Sequence, residues 1–122
     1  MDDDSLVRRL ISKYLTVFGY EVVAVAEGQE AVAAFAEQRA LGRPFAAVIL
    51  DLTVRVGWGG ERTLHELLKM DPGVKALVCS GTLEEPAAHY RKQGFFGVLE
   101  KPFSQTQLHE LVEVAVHSAG PC

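Results

Sequence analysis

The sequence predicts an α/β protein built on one doubly wound parallel sheet. Two short runs, at residues 46–50 and 76–79, are almost wholly apolar, which is the composition of strands that are buried on both faces of a parallel sheet. Segments with apolar residues at helical spacing separate the predicted strands, an alternation that is typical of right-handed crossover connections. The runs end next to polar residues, and an open α/β sheet binds its ligands at the carboxyl ends of its strands.

The length and composition are those of one folded domain, which we assign to residues 1–122. Hydrophobic residues make up 48% of the chain and charged residues 23%, and a chain of this length buries about two-thirds of the surface of its unfolded form. The net charge is −4 and no basic run is present, so we expect no direct binding to nucleic acid. The sequence shows neither a signal peptide nor an apolar run of about 20 residues, so we expect a cytoplasmic protein without a membrane partner.

The N-terminal half predicts helices and strands in turn. A helix over residues 6–18 follows a run of acids, and charge complementarity with the helix dipole explains such acids when they are taken alone. Residues 21–26 (EVVAVA) predict a strand, residues 28–40 a helix, and residues 46–50 a central strand followed by Asp51. A strand expected ahead of the first helix is either cut off or reduced to a residue or two, and an unfilled gap there would leave sheet edges open.

The C-terminal half continues the alternation to a last predicted helix. Ser104 and Gln107 have the spacing of a capping box, in which each side chain bonds the backbone of the other residue, so a helix is expected to begin there. Residues 120–122 are expected to be a tail. The remaining predicted elements are, in chain order, residues 61–70 (helix), 75–80 (strand), 86–93 (helix) and 98–101 (strand).

Polar residues at the predicted strand ends form a candidate site. Asp51, Ser80 and Lys101 stand at the ends of strands, and the acids at residues 2–4 stand before the first helix. Several adjacent carboxylates need a compensating cation, and Mg²⁺ is a hard cation that carboxylate and carbonyl oxygens bind. With a lysine and a hydroxyl opposite, such a site suits phosphoryl transfer with Asp51 as the nucleophile. A structural ion-pair cluster is the competing explanation.

Five short segments carry a specific pattern: residues 2–9 (DDDSLVRR), 19–22 (GYEV), 48–51 (VILD), 80–81 (SG) and 101–103 (KPF). In this order and at these separations they resemble the receiver domain of two-component response regulators, over nearly the whole chain. The resemblance implies a flavodoxin-like sheet with strand order 2-1-3-4-5, of which the first strand is largely missing from this chain. Residues 51–60, together with residues 71–72 and 80–81, look most like the receivers attached to the C-terminus of hybrid histidine kinases.

The resemblance implies a phosphoacceptor function. Asp51 would take a phosphoryl group from the phosphohistidine of a histidine kinase or phosphotransfer domain, with self-phosphorylation and autodephosphorylation in place of conventional enzyme turnover. Ser80 would be the switch hydroxyl that moves to bond the phosphoryl group, and Lys101 would be its counter-charge. In receivers the peptide bond from this lysine to the following proline, here Pro102, is usually cis.

The resemblance also assigns the ligands of a Mg²⁺ ion. Asp3 would bind it directly and Asp2 through a water molecule, while Asp51 and the backbone carbonyl of Thr53 would complete the protein ligands. The histidines, by contrast, show no ligand or phosphotransfer spacing and are predicted at exposed helix positions.

Two departures from the family pattern leave alternatives open. Many receivers carry an aromatic residue three positions before the lysine, where this chain has Val98, so a pseudo-receiver that docks partners without phosphorylation stays open. The missing first strand invites homodimer formation or strand exchange between chains. A haloacid-dehalogenase-type phosphatase would also use an aspartyl nucleophile, but its motif has a second Asp two positions later, where this chain has Thr53.

Overall fold

The computed structural model describes residues 1–52 and 54–117 and shows helices on both faces of a parallel sheet. The elements are α1 (Ser5–Val17), α2 (Gly28–Ala40), β1 (Val48–Asp51), α3 (Gly60–Met70), β2 (Ala76–Ser80), α4 (Ala87–Gln93), β3 (Gly97–Glu100) and α5 (Gln105–His117). Within the described residues the sheet has the order β1-β2-β3, and no helix there is long and apolar enough to cross a membrane. The predicted α/β class is therefore confirmed, while the predicted tail lies outside the described residues.

The central strand β2 is buried throughout, which explains its apolar composition. It pairs in parallel with β1, from Val48 opposite Ala76 to Asp51 opposite Cys79, and with β3 on its other side. Every residue from Ala76 to Ser80 is buried. A strand with helices on both faces has no solvent side, so the alternation of polar and apolar residues is lost.

Two hydrophobic clusters cover the two faces of the sheet. Successive residues of a strand point to opposite faces, so Val78 of β2 packs with Phe35 of α2, and helix α3 joins the same cluster. Cys79 packs on the other face with Ile11 of α1 and Leu108 of α5. Burial on both faces fixes the strands and therefore the positions of the residues at their carboxyl ends.

The N-terminal edge of the sheet departs from the prediction. Residues 21–26, predicted as a strand, form none, because the chain provides them with almost no partner strand. Met1 lies beside β1, where its amine donates to the Ile49 carbonyl at 2.7 Å and its carbonyl accepts from the Asp51 N–H at 2.9 Å. On the other side, the Asp2 N–H donates to a carbonyl of residues 21–26 at 3.1 Å. The order across the described residues is therefore residues 21–26, residues 1–2, β1, β2 and β3, which agrees with the predicted order 2-1-3-4-5, although the first two segments are not strands.

An apolar groove of about 130 Å³ lies beside Met1, between residues 21–26 and β1. Burial lowers the pKa of the Met1 amine, because a charged amine is disfavoured away from water. The walls of the groove include Ile11, Leu15, Ala31, Phe35, Ala47 and Ile49.

Two helices that flank one face of the sheet begin with side-chain caps. The predicted capping box is present at the start of α5: the Ser104 N–H donates to Gln107 Oε1 at 2.8 Å, and the Gln107 N–H donates to Ser104 Oγ at 3.0 Å. At the start of α1, Asp4 Oδ1 accepts from the Leu6 N–H at 2.9 Å. These bonds satisfy backbone donors that have no partner within the helix.

Candidate functional site

Three carboxylates meet at the carboxyl end of β1. Asp51 is the last residue of β1 and is 4% exposed, and Asp2 is 3% exposed. One carboxylate oxygen from each of Asp2, Asp3 and Asp51 lies within 4.8 Å of the other two. The pairing of Met1 with β1 produces this convergence, because it places the residues after Met1 beside the end of the strand.

The acids at residues 2–4 divide into two roles. Asp4 is the N-cap of α1, and its N–H donates to Asp2 Oδ1 at 2.9 Å. Arg8 holds the same turn from within the helix, with its Nη1 donating to the Asp2 carbonyl at 2.7 Å. The helix-dipole explanation therefore applies to Asp4, whereas Asp2 and Asp3 belong to the acidic cluster.

Lys101, directly after β3, supplies positive charge to this cluster. Its Nζ donates to Asp2 Oδ2 at 2.8 Å and lies 3.7 Å from Asp51 Oδ1. Burial acts to lower the pKa of the Lys101 ammonium, but the hydrogen bond and charge of Asp2, with the charge of Asp51, outweigh burial and raise it. Lys101 is therefore charged at neutral pH. Its peptide bond to Pro102 is cis, as the resemblance implied.

Ser80 ends β2 at the same edge of the sheet and is 5% exposed. Its hydroxyl donates to the Thr82 carbonyl at 3.3 Å and accepts from the Thr82 N–H at 3.2 Å. The loop after β2 therefore holds the hydroxyl in the structure. Thr53, the predicted source of a carbonyl ligand, lies outside the described residues.

Two residues after β1 that were not predicted also contribute to the site. The Arg55 N–H donates to Asp3 Oδ2 at 2.9 Å, and Arg55 Nε lies 3.7 Å from the same oxygen. Gly60 lets α3 begin close to β1, because a Cβ there would lie 2.8 Å from the Asp51 carbonyl oxygen. The paired glycines at 59 and 60 signalled such a close approach, but no periodic pattern locates a loop residue such as Arg55.

The position three residues before Lys101 is part of the core. Val98 is half-buried in β3 and packs against the cluster that contains Tyr90 and Phe95, which are 3% and 2% exposed. Both aromatic rings are therefore fixed core members. The chain has no ring at Val98 that could turn between an exposed and a buried position.

One histidine differs from its predicted exposure. His65, His89 and His117 are exposed as predicted, but His109 of α5 is half-buried. Its ring stacks on Phe18 with centroids 3.7 Å apart. This contact joins the end of α1 to α5 and lies apart from the acidic cluster.

The donor set at this edge fits a hard divalent cation. One oxygen from each of the carboxylates of Asp2, Asp3 and Asp51 lies within 4.8 Å of the others, and a divalent cation would compensate their adjacent negative charges together with Lys101. Carboxylate oxygens are the ligands that Mg²⁺ prefers. A buried carboxylate beside a cation is also a suitable nucleophile for a phosphoryl group.

Comparison with known proteins identifies the family. A family model described as the response regulator receiver domain matches residues 1–113. The chain belongs to this family. A response regulator receiver protein of Anaeromyxobacter sp. (strain Fw109-5) is 30% identical over 112 residues, which cover 91% of this chain and 44% of that protein. The chemotaxis protein CheY of Thermotoga maritima is 29% identical over 112 residues, which cover 90% of this chain and 88% of that protein.

Solved receiver structures share the fold of this receiver domain. The receiver domain of NtrX from Brucella abortus superposes with a TM-score of 0.87 at 26% identity, over 97% of this chain and 96% of that chain. A receiver protein of Sinorhizobium medicae WSM419 superposes with a TM-score of 0.80 at 23% identity, and this likeness is evidence for the shared fold only. The chain spans 44%, 34% and 26% of the length of three curated relatives, so it corresponds to one part of those proteins.

Proposed function

We propose that this receiver domain takes a phosphoryl group onto Asp51 from the phosphohistidine of a histidine kinase or phosphotransfer domain. The position of Asp51 carries the proposal. Its carboxylate is buried at the end of β1, within 4.8 Å of the carboxylates of Asp2 and Asp3, and 3.7 Å from the ammonium of Lys101. A carboxylate in this setting is a nucleophile with positive charge at hand for the phosphoryl oxygens.

The transfer forms one bond and breaks another. An Asp51 carboxylate oxygen attacks the phosphorus in line, the bond between phosphorus and the donor imidazole nitrogen breaks, and its electron pair returns to that nitrogen. The product is an acyl phosphate on Asp51. Water later cleaves it and restores the carboxylate, with inorganic phosphate as the product. The chain thus acts on itself and turns over no separate substrate.

The surrounding residues bind and balance charge. Asp2, Asp3, Asp51 and the carbonyl of Thr53 would hold Mg²⁺, whose charge neutralises the phosphoryl oxygens during transfer. Lys101 is close enough to Asp51 to pair with a phosphoryl group there, and its hydrogen bond to Asp2 links it to the metal-binding acids.

Ser80 would carry the signal in this proposal. A phosphoryl oxygen on Asp51 would compete with Thr82 for the Ser80 hydroxyl, which Thr82 now binds. Release of Thr82 would shift the population of conformations of the loop after β2, together with the loop after β1. Because Val98 provides no ring, the response would not depend on a turning aromatic residue.

Asp51→Asn is the direct test of the phosphoacceptor. With Mg²⁺ and a small phosphodonor such as acetyl phosphate, the wild-type chain should gain one acid-labile phosphoryl group by intact mass, and Asp51→Asn should gain none. Asp71→Asn is the matched control, because Asp71 lies at the end of α3 and binds the Gly73 N–H instead. Labelling that survives Asp51→Asn would remove Asp51 from the role.

Lys101→Ala tests the counter-charge. The variant should still bind Mg²⁺ but should be phosphorylated more slowly or respond less, because no ammonium then faces the phosphoryl group. Lys69→Ala, which removes an exposed lysine that pairs with Glu66, is the control. Circular dichroism checks that both variants fold. Wild-type behaviour of Lys101→Ala in both labelling and the conformational response would reject the assignment.

The same assays separate the alternatives. A wild-type chain that folds but is never labelled would favour a pseudo-receiver, for which Val98 is the supporting observation. Turnover of a phosphomonoester would favour a haloacid-dehalogenase-type phosphatase instead.

The wider setting is also part of the proposal. Because the chain covers less than half of several relatives, we propose a receiver within a larger cytoplasmic signalling protein, with a hybrid histidine kinase as the candidate. The apolar groove beside Met1 supports pairing or strand exchange between two copies. Sedimentation over a range of concentrations checks this, and a monomer throughout would contradict it.

A further inference from the structure

Two cationic side chains among the described residues form ion pairs with the acidic cluster, and they approach it from different sides. Lys101 binds Asp2 on the buried side, with 22% of its own side chain exposed. Arg55 approaches Asp3 from the solvent side. Its backbone N–H donates to Asp3 Oδ2 at 2.9 Å, and Nε of its side chain lies 3.7 Å from the same oxygen. The Arg55 side chain is 90% exposed. The Lys101 side chain is therefore held in place by its surroundings, whereas the exposed guanidinium of Arg55 is free to move away.

The position of Arg55 bears on metal binding. Asp3 is the carboxylate proposed to bind Mg²⁺ directly, and one of its oxygens lies within 4.8 Å of oxygens of Asp2 and Asp51. A guanidinium near Asp3 balances part of the negative charge of the cluster when no metal is bound. The same positive charge repels a divalent cation that approaches these oxygens.

We propose that the Arg55 guanidinium balances the charge of Asp3 in the metal-free receiver and moves away when Mg²⁺ binds. Because its positive charge must be displaced, Arg55 lowers the affinity of the receiver for the ion. The inference rests on the proposed function, because it takes Asp3 as a metal ligand. It makes Arg55 a residue that tunes affinity and not a catalytic residue.

The expected effect is small and depends on salt. Exposed ion pairs have interaction energies that correspond to an affinity change of about two- to five-fold. Charges in solvent are screened, with a Debye length of about 30 Å at 0.01 M salt and about 3 Å at 1 M. The influence of Arg55 on Mg²⁺ affinity should therefore be largest at low ionic strength.

Calorimetric titration with Mg²⁺ tests the inference without any phosphorylation. Arg55→Gln removes the charge but keeps the backbone N–H that binds Asp3, so it isolates the guanidinium. Its affinity should rise about two- to five-fold at low salt, and the difference from the wild-type chain should shrink at high salt. Arg55→Lys, which keeps the charge, should stay near the wild-type value. Arg43→Gln makes the same change of charge in the loop before β1, at the amino end of that strand, and should change the affinity much less than Arg55→Gln does.

Each outcome separates this inference from the proposed function. Unchanged affinity of Arg55→Gln at low salt would overturn the inference, and so would weaker binding, because Arg55 would then orient Asp3 for the metal. If Arg55→Gln binds Mg²⁺ and the wild-type chain does not, the inference stands and the proposed function of the wild-type chain fails. If neither binds, both fail. If Arg55→Gln shows the expected rise in Mg²⁺ affinity but Asp51 cannot be phosphorylated, the inference stands and only the proposed function is contradicted.

Discussion

Two parts of the sheet differ in how they are held together. In the paired half, from β1 to β3, neighbouring strands pair in register and β2 is buried throughout. In the N-terminal half, which we define as residues 1–26, hydrogen bonds of Met1 and Asp2 connect the chain to its neighbours in the sheet, and residues 21–26 form no strand. Helix α1 packs this half against the same core cluster as α5.

The candidate site lies across the boundary between the two halves. Asp51, Ser80 and Lys101 stand at the ends of paired strands, whereas Asp2 and Asp3 belong to the N-terminal half. The groups proposed for phosphoryl chemistry are thus on the better-paired part, and two proposed metal ligands are on the part with fewer sheet bonds. A ligand that binds Asp2, Asp3 and Asp51 together should therefore stabilise the N-terminal half. It binds only the state in which residues 1–26 are folded against β1, and not a state in which they have come away.

The largest expected difference between the halves is in the core. Leu50→Ala in β1 empties a position that is 0% exposed, so it should lower the free energy of unfolding by about 2–5 kcal/mol. Val23→Ala in the N-terminal half changes a side chain that is 54% exposed and should cost less than about 0.5 kcal/mol. Urea denaturation of both variants checks the contrast. Equal losses would mean that residues 21–26 are packed as firmly as β1.

A second test uses the two helix caps. Asp4→Ala at α1 and Ser104→Ala at α5 each remove a side-chain cap and should each cost about 1 kcal/mol. If the N-terminal half opens by itself, Asp4→Ala should speed amide hydrogen exchange in α1 about five-fold, since 1.4 kcal/mol corresponds to ten-fold, and Ser104→Ala should not affect it. Equal acceleration by both variants would show that the halves unfold as one unit.

Sequence patterns predicted the paired half better than the N-terminal half for a physical reason. The apolar runs at β1 and β2 have their burial partners within the chain, so local composition and tertiary structure agree. The capping box of Ser104 and Gln107 is equally local. Residues 21–26 have the composition of a strand, but a strand also needs a neighbour, and the reduced first strand does not provide one along their length.

The site was predictable only as far as the sheet positions it. Strand ends placed Asp51, Ser80 and Lys101 at one edge, because parallel strands align their carboxyl ends. The contact of Arg55 with Asp3 depends on the path of a loop, which no periodic pattern sets. The stacking of His109 on Phe18 depends on how α1 and α5 pack, so a helix position that looked exposed is half-buried.

The contacts of Phe18 and Tyr20 with α5 form a seam between the halves, and the stability of this seam should depend weakly on pH. Glu113 of α5 accepts hydrogen bonds from Tyr20 and His109. Burial acts to raise the pKa of the Glu113 carboxyl, but these bonds and the histidine charges outweigh burial and lower the pKa below 4.5. A carboxyl with a lowered pKa in the folded chain adds stability above its unfolded pKa and loses it as pH falls through the folded value.

Glu113→Gln should therefore unfold at a lower temperature than the wild-type chain near neutral pH, and the difference should close as the pH falls below the ordinary value of 4.5. Thermal melts across this range measure it. Glu110→Gln, the same change at an exposed position of α5, is the control and should show no such closing difference. A difference for Glu113→Gln that persists at acid pH would mean that the carboxylate charge does not hold the N-terminal half to α5. The contact between the halves would then depend on the stacking of Phe18 and His109 and on the apolar packing of α1 with α5.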